Sequence, residues 1–326
     1  MARVYPLLSL VSPVKFNPPD GVATRHKHIS VTFSFQCLSN PKAQYRTMQV
    51  VTRKRAWGLL LGLTTAPLLA GCSQDSGQTV VVTGSSTLAP VMADIARDFE
   101  NRDPNIRVNI QSGGSSRGIA DTERGTADIG MVSRDLRDSE SHLNPHTIAR
   151  DGVAMIVHAD NPLDSLSPET IGRLYRGRID NWSAIADYDE PVTVIHKSAG
   201  RATLEVFLRF MELDNSEIEP DMIIGENQQA IQSVAGNPGA LGYVSVGAAE
   251  HEAGRGVSIR PVAIDGVEPT PESVASGDFP LARNLNLVTK DEPGEATRRV
   301  LDYALSRAAH KRIREHFFSP VTDPES

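Results

Sequence analysis

Hydrophobic and polar positions follow two regimes that alternate along the chain. Thr79-Val80-Val81-Val82-Thr83 is a short apolar run that reads as a buried strand, and Gly84-Ser85-Ser86-Thr87 after it is a turn signal. From Leu88 to Asn101 apolar residues return every three or four positions, the spacing of an amphipathic helix. The alternation repeats with a strand at Ile106 to Ile110, a Gly/Ser loop at Gln111 to Gly118, and a short helix at Ile119 to Arg124. A third strand at Ala127 to Met131 runs into polar Ser133-Arg134-Asp135. Further strands are expected at Val153 to His158, Val192 to Ile195, Leu241 to Val246 and Leu285 to Thr289. Helices are expected at Leu204 to Met211 and Gln228 to Ala235, and Glu295 to Phe317 reads as one or two more. Strand, short loop and helix in succession predict an α/β fold with a largely parallel sheet. The breaks at Asp160-Asn161-Pro162 and Arg283-Asn284 bracket a self-contained α/β segment. Two lobes joined by two hinge strands are therefore expected, lobe one at residues 79–155 plus 286–326 and lobe two at 156–285.

Charge sharpens this picture. The 326 residues carry a net charge of −7, but residues 1–71 hold nine of the 33 Lys/Arg and one of the 40 Asp/Glu. The remainder has 24 positive against 39 negative side chains, a net of −15. So acidic a body argues against nucleic acid as a partner, because affinity for a phosphate backbone needs a basic surface. With 40% hydrophobic residues and a mean hydropathy of −0.25, a polytopic membrane protein and a wholly disordered chain are both excluded. The basic N-terminal part has its own logic. Arg53-Lys54-Arg55 precedes an uncharged, Leu-rich run from Ala56 to Gly71 that ends in Leu69-Ala70-Gly71-Cys72. That order looks like a bacterial lipoprotein signal over residues 48–71, with Cys72 the acylated first residue of the mature chain. Residues 72–78 read as a flexible tether, and 1–47 as a mis-assigned start or an unstructured extension.

Candidate chemistry lies in the loops. Gly84-Ser85-Ser86-Thr87 and Gly113-Gly114-Ser115-Ser116 each follow a strand and precede a helix, where unpaired backbone N–H groups and the helix dipole favour an anion. Ser133-Arg134 follows a third strand. In His196-Lys197-Ser198-Ala199-Gly200-Arg201-Ala202-Thr203, two cations sit at a helix start, where they are unfavourable unless an anion joins them. This loop lacks the fixed Gly-Lys-Ser/Thr order of a nucleotide-binding P-loop. No cofactor is implied. The histidines lack tight metal-ligand spacing, and of the two cysteines, Cys37 and Cys72, only Cys72 belongs to the mature body.

These residues resemble the phosphate-binding proteins of bacterial ABC importers, within the type II periplasmic binding proteins. The resemblance runs from about Val80 to Thr289. It rests on Gly84-Ser85-Ser86-Thr87-Leu88-Ala89-Pro90, Gly113-Gly114-Ser115-Ser116-Arg117-Gly118 and Ala127-Asp128-Ile129-Gly130-Met131. Asn237-Pro238-Gly239-Ala240-Leu241-Gly242-Tyr243-Val244 and Asp265-Gly266-Val267-Glu268-Pro269-Thr270 add to it. It implies a two-lobed fold with a hinge and a central cleft, no catalytic turnover, and capture of inorganic phosphate or a related oxyanion for an inner-membrane permease. It also implies a monomer in the periplasm or at the cell surface, held to the membrane by a lipid anchor. The family's ligand positions fall on Ser86, Thr87, Ser115, Ser133 and Arg134. In the second-lobe loop, usually Arg-x-x-Gly-Ser-Gly-Thr in the family, only Gly200 and Thr203 are unchanged. Lys197 stands where the family has arginine, and Arg201 adds a charge. Neutral donors are thus expected from Ser86, Thr87, Ser115, Ser133 and Thr203, and charge from Arg134, Lys197 and Arg201. Another oxyanion or small organic anion on the same fold is the main alternative. Gly114-Ser115-Ser116-Arg117-Gly118 also matches the Gly-x-Ser-x-Gly elbow of serine hydrolases, a weaker reading in so Gly/Ser-rich a loop.

Overall fold

The computed structural model describes residues 77–321. The extension at 1–47, the signal at 48–71, Cys72 and most of the tether lie outside the described residues. The chain opens with β1 (Gln78–Gly84), α1 (Leu88–Arg102), β2 (Ile106–Ser112), α2 (Ser115–Glu123) and β3 (Ile129–Val132). β1 runs between β2 and β3, parallel to both, with Val82 opposite Ile110 on one side and Ile129 on the other. α1 forms because Leu88, Val91, Met92, Ile95, Ala96 and Phe99 put one apolar stripe against this sheet, and all six are buried. Each large side chain in the stripe contributes about 1.5–3 kcal/mol, so truncating one such as Ile95 to alanine should cost about 2–5 kcal/mol.

A 15-residue strand, β4 (Asn144–His158), follows. After it come β5 (Ser165–Leu166), α3 (Pro168–Tyr175), β6 (Thr193–Lys197), α4 (Ala202–Met211), β7 (Met222–Ile224) and α5 (Asn227–Ala235). Next are β8 (Ala240–Ser245), α6 (Val246–Gly254), β9 (Ile259–Ile264) and α7 (Pro271–Ser276). The chain then returns through β10 (Ala282–Thr289), α8 (Glu295–Leu305), α9 (His310–Glu315) and β11 (Ser319–Pro320).

The sheet is mixed, not largely parallel. Its strand order is β2-β1-β3-β10-β4-β8-β6-β7, and β10 and β4 run antiparallel to their neighbours. β4 changes partners halfway along. Residues 144–152 pair with β10, placing Asp151 opposite Arg283, whereas Val153 to Val157 pair with β8 and Met155 to His158 with β9. The Val153 amide donates to the Leu281 carbonyl at 3.0 Å, so the two passages of the chain across this point lie side by side.

Two separate hydrophobic cores flank the change of partners. One holds Val80, Met92, Ile148, Ala149, Leu285, Leu287 and Val300; the other holds Val153 to Val157, Trp182, Phe207, Ile231, Tyr243 and Leu281. Local expectations shift in two places that matter for the site. α2 begins at Ser115 instead of Ile119, which shortens the Gly/Ser loop to Gly113-Gly114, because Gly114 with φ 97° turns the chain straight into the helix. β6 extends to Lys197, since its ladder with β7 runs as far as Lys197 opposite Ile224.

Candidate functional site

The carboxyl ends of β1, β3 and β6 and the starts of α1, α2, α4 and α5 converge where the two cores meet. Gly84 makes the approach possible. Its φ is 134°, and a Cβ there would lie 2.3 Å from the Met131 carbonyl and 3.0 Å from Gly118 Cα, so no other residue fits between β3 and α2. The Gly84 carbonyl accepts from the amides of both Gly113 and Gly114, at 2.9 and 2.8 Å, which fixes the second loop against the first.

The hydroxyls gather next. Ser85 Oγ accepts from the amides of Thr87 and Leu88 at the start of α1 and donates to Ser133 Oγ at 2.9 Å. Ser115 Oγ accepts from the Ser133 amide at 3.1 Å and lies 3.5 Å from Ser133 Oγ. Arg283 of β10 reaches into this group from below. Its Nε and Nη2 donate to Asp151 Oδ2 at 3.1 and 2.7 Å, and the two side chains are only 2% and 0% exposed. Asp151 Oδ1 accepts from the Gly247 amide at 3.2 Å. From there Arg283 Nη2 donates to Thr87 Oγ1 at 3.1 Å, and Nη1 to Thr203 Oγ1 at 3.3 Å and Ser133 Oγ at 3.5 Å. Thr87 Oγ1 accepts once more, from Asn227 Nδ2 at 3.2 Å. Both threonine oxygens therefore act as acceptors, and their own O–H hydrogens are uncommitted.

Lys197 supplies a second buried cation at the end of β6. Its Nζ donates to the Glu226 carbonyl at 3.1 Å and Asn227 Oδ1 at 3.3 Å, with no carboxylate in either bond. Burial pushes the ammonium down to about 7, and the positive charges of Arg201 and Arg283 add to this against the pull of Glu226. A polar chain holds the strand end in place. The Lys197 amide donates to Tyr243 Oη at 3.3 Å, Tyr243 Oη lies 3.0 Å from His196 Nδ1, and His196 Nε2 lies 2.9 Å from Asn215 Oδ1. Burial lowers the His196 pKa, favouring the neutral ring, which donates at Nε2 and accepts at Nδ1. The Tyr243 ring stacks on Phe207 at 4.2 Å.

Of the expected positions, Thr87, Ser115, Ser133, Lys197 and Thr203 come together in this cluster, and all five are buried. Ser86 faces an adjoining cleft. Arg134 departs from expectation as a source of charge. It is buried, but Nη1 and Nη2 donate to the two oxygens of Glu140 at 2.7 and 2.8 Å. Its Nε sits 2.8 Å from Glu205 Oε2, off the hydrogen-bonding direction, and Arg137 shares that carboxylate. Two carboxylates thus take up the guanidinium. Arg201 is partly exposed, and its Nη1 donates to Glu226 Oε1 at 2.7 Å, while Glu226 Oε2 accepts from Ser112 Oγ at 3.0 Å. Arg283, Asp151 and Asn227 were not singled out by sequence as ligand-side residues. Their local sequence carries little signal, since Asp151 follows Arg150 in Ala149-Arg150-Asp151-Gly152 and Arg283 stands in Ala282-Arg283-Asn284-Leu285-Asn286, and only the strand register brings the two opposite each other.

Buried hydroxyls with free hydrogens, two desolvated cations and four converging helix starts are suited to holding a compact anion. Comparison with known proteins agrees. The family described as the PBP superfamily domain matches residues 71–308. The phosphate-binding protein PstS of Bacillus subtilis (strain 168) is 25% identical over 250 residues, covering 75% of this chain and 81% of that protein. A phosphate ABC transporter substrate-binding protein from Clostridium perfringens, solved with bound phosphate, is 30% identical with a TM-score of 0.70, covering 75% of this chain and all of that one. An ABC-type phosphate transport receptor from Vibrio cholerae is 26% identical with a TM-score of 0.62, over 74% of this chain and 99% of the receptor. These relatives are substrate-binding proteins and not enzymes. The chain belongs to the PBP superfamily, with the two-lobed type II fold, in the family of the phosphate-binding proteins of ABC transporters.

Proposed function

We propose that this protein captures inorganic phosphate outside the cytoplasm, encloses it between two lobes, and presents it to the permease of an ABC importer. The observation that carries this reading is Arg283. It is held rigidly by Asp151, desolvated, and aimed at hydroxyls from both sides of the cleft, Thr87 and Ser133 on one and Thr203 on the other. Phosphate oxygens accept from Arg283, from protonated Lys197, and from the free O–H groups of Thr87 and Thr203, with Ser115 and Ser133 at the closed end. The starts of α1, α2 and α4 add their backbone dipoles. Arg201 stands at the rim, where Glu226 holds it, and Arg134 supports the loop after β3 without touching the ligand.

The lobes divide close to the expected bounds, residues 79–155 plus 286–326 and residues 156–285. The two cores favour divisions a few residues earlier, since they part between Ala149 and Val153 and again between Leu281 and Leu285, which puts Val153 to Met155 with lobe two and Leu285 with lobe one. Both groups of ligating residues meet the anion only when the lobes are closed, so the ligand favours that state by its differential affinity. Direct contacts already join the two sides, including the Ser116 amide to the Gly200 carbonyl at 3.2 Å and the Ser112–Glu226 bond. The lipid anchor at Cys72 rests on the basic flank, the apolar run and Leu69-Ala70-Gly71-Cys72, and tethers a monomer to a bacterial membrane.

Calorimetric titration with phosphate, sulfate, molybdate and tungstate tests the reading. Phosphate is expected to bind one to one and more tightly than the other three. Tighter binding of another oxyanion would change the ligand but not the site, and no binding of any of them would remove the site altogether.

A further inference from the structure

Apart from the Arg283–Asp151 pair, where β10 passes β4, every salt bridge among the described residues that crosses between the lobes ends on one carboxylate, Glu205. Its Oε2 lies 2.7 Å from Arg137 Nη2 and 2.8 Å from Arg134 Nε, both in the loop after β3. Glu205 stands in the first turn of α4, two residues beyond Thr203, and Arg134 directly follows Ser133. Each side of the bridge is therefore close in the chain to a hydroxyl assigned to the anion, one from each lobe.

The bridge can break cleanly. Glu140 holds the lobe-one half by itself, accepting from Arg134 Nη1 and Nη2 at 2.7 and 2.8 Å and from the Arg137 amide at 2.9 Å. The lobe-two half is fixed by α4, whose Val206 and Phe207 belong to the second core. When the lobes part, Arg134 keeps its carboxylate partner, while exposed Arg137 and partly buried Glu205 pass into water. No buried charge is stranded, so opening escapes the large penalty of breaking a fully buried pair. The contact is also unfinished. Arg134 Nε is buried, makes no hydrogen bond, and faces Glu205 Oε2 off the donor direction, so a small further movement of α4 toward the loop completes it.

We propose that Glu205 is a positioning residue for phosphate retention, a latch between the lobes that sets how long the closed protein holds its ligand without touching it. This rests on the anion-site reading above. Phosphate meets the protein with the lobes apart and the latch unmade, so Glu205 leaves the association rate alone. Escape requires the lobes to part and the latch to break, so Glu205 slows dissociation. A lone carboxylate this close to an anion would repel it; the two arginines of the loop neutralise Glu205 in the closed state only.

The test is rapid-mixing measurement of association and dissociation rates with radiolabelled phosphate, for the full chain and for Glu205→Gln, Arg137→Gln and the double variant. Glu205→Gln leaves Arg134 on Glu140, and Arg137 is exposed, so neither change strands a buried charge. Glu205→Gln is expected to raise the dissociation rate by about threefold to tenfold and to change the association rate by less than about twofold. Arg137→Gln should raise dissociation by about twofold to threefold. The double variant should match Glu205→Gln alone, because one carboxylate serves both arginines. An unchanged dissociation rate, a loss confined to association, or additive effects in the double variant would each overturn the latch and leave the anion site standing. Failure of the unaltered chain to bind phosphate would overturn the two together.

Discussion

Arg134, in the loop after β3, and Arg283, where β10 passes β4, are both withdrawn from solvent and lie close together. Arg283 touches Ser133, and the Arg134 carbonyl accepts from Asn286 Nδ2 on the same strand as Arg283. Their electrostatic surroundings differ. Arg134 faces two carboxylates, Glu140 and Glu205, and Arg137 shares the second, so the charges there balance and none is left over for an anion. Arg283 faces one carboxylate, Asp151, and has Lys197 close enough to repel it, so the neighbourhood is positive whenever Lys197 is protonated. A buried arginine is a ligand for an anion only where the carboxylates around it are outnumbered. In the loop after β3 the guanidinium stabilises the fold; at the strand crossing it is available for recognition.

The comparison breaks most visibly at Arg283. Arg283→Met should reduce phosphate affinity by roughly 30-fold to several thousand-fold, the usual cost of about 2–5 kcal/mol for truncating a buried charge partner. It also strands Asp151, so denaturant unfolding should show a stability loss of about 3–5 kcal/mol. Adding Asp151→Leu should restore much of the stability and none of the binding, separating the two roles.

Lys197 gives the next effect, with a sign fixed by its depressed pKa. Below about 7 the ammonium is charged and contributes to anion binding; as pH rises through that value the contribution is lost. The ratio of wild-type affinity to that of Lys197→Met should therefore fall with rising pH, by at most about tenfold per unit, and titration at several pH values reads it. Stability moves the opposite way. The unfolded lysine titrates near about 10.4, so the unfolded chain binds more protons above pH 7, and the ligand-free protein gains stability as pH rises between these values.

Arg134→Met should have the smallest effect on affinity, less than about tenfold, because the guanidinium does not face the anion. Its effect on stability should still be about 3–5 kcal/mol, since Glu140 is left buried. A loss of binding equal to that of Arg283→Met would erase the distinction between the two regions.

The parts legible in sequence are those governed by local periodicity or by glycine. α1 follows from the three-and-four spacing of Leu88, Val91, Met92, Ile95 and Phe99, and the hydroxyl loops follow from strand endings at Gly84 and Gly113-Gly114. The first half of β4 was not legible. Asn144-Pro145-His146-Thr147 has no apolar face, and the strand exists because β10 and β11 pair with it. α3 was not read from the sequence either, although Ser167-Pro168 is a helix-start pattern and Ser167 Oγ accepts from the Thr170 amide as a cap. Arg283 could not be read locally, because its partner Asp151 lies 132 residues away and only the strand register brings them opposite. The same holds for Arg134, whose neutralising Glu205 sits on a helix from the other side of the cleft.

A crystal structure of the phosphate complex tests the central claim most directly. The account predicts phosphate oxygens within hydrogen-bonding distance of Arg283 Nη, Lys197 Nζ and the hydroxyls of Thr87 and Thr203, with Arg134 still on Glu140 and Glu205. Phosphate seated on Arg134 or Arg201, with Arg283 making no contact to it, would contradict the account.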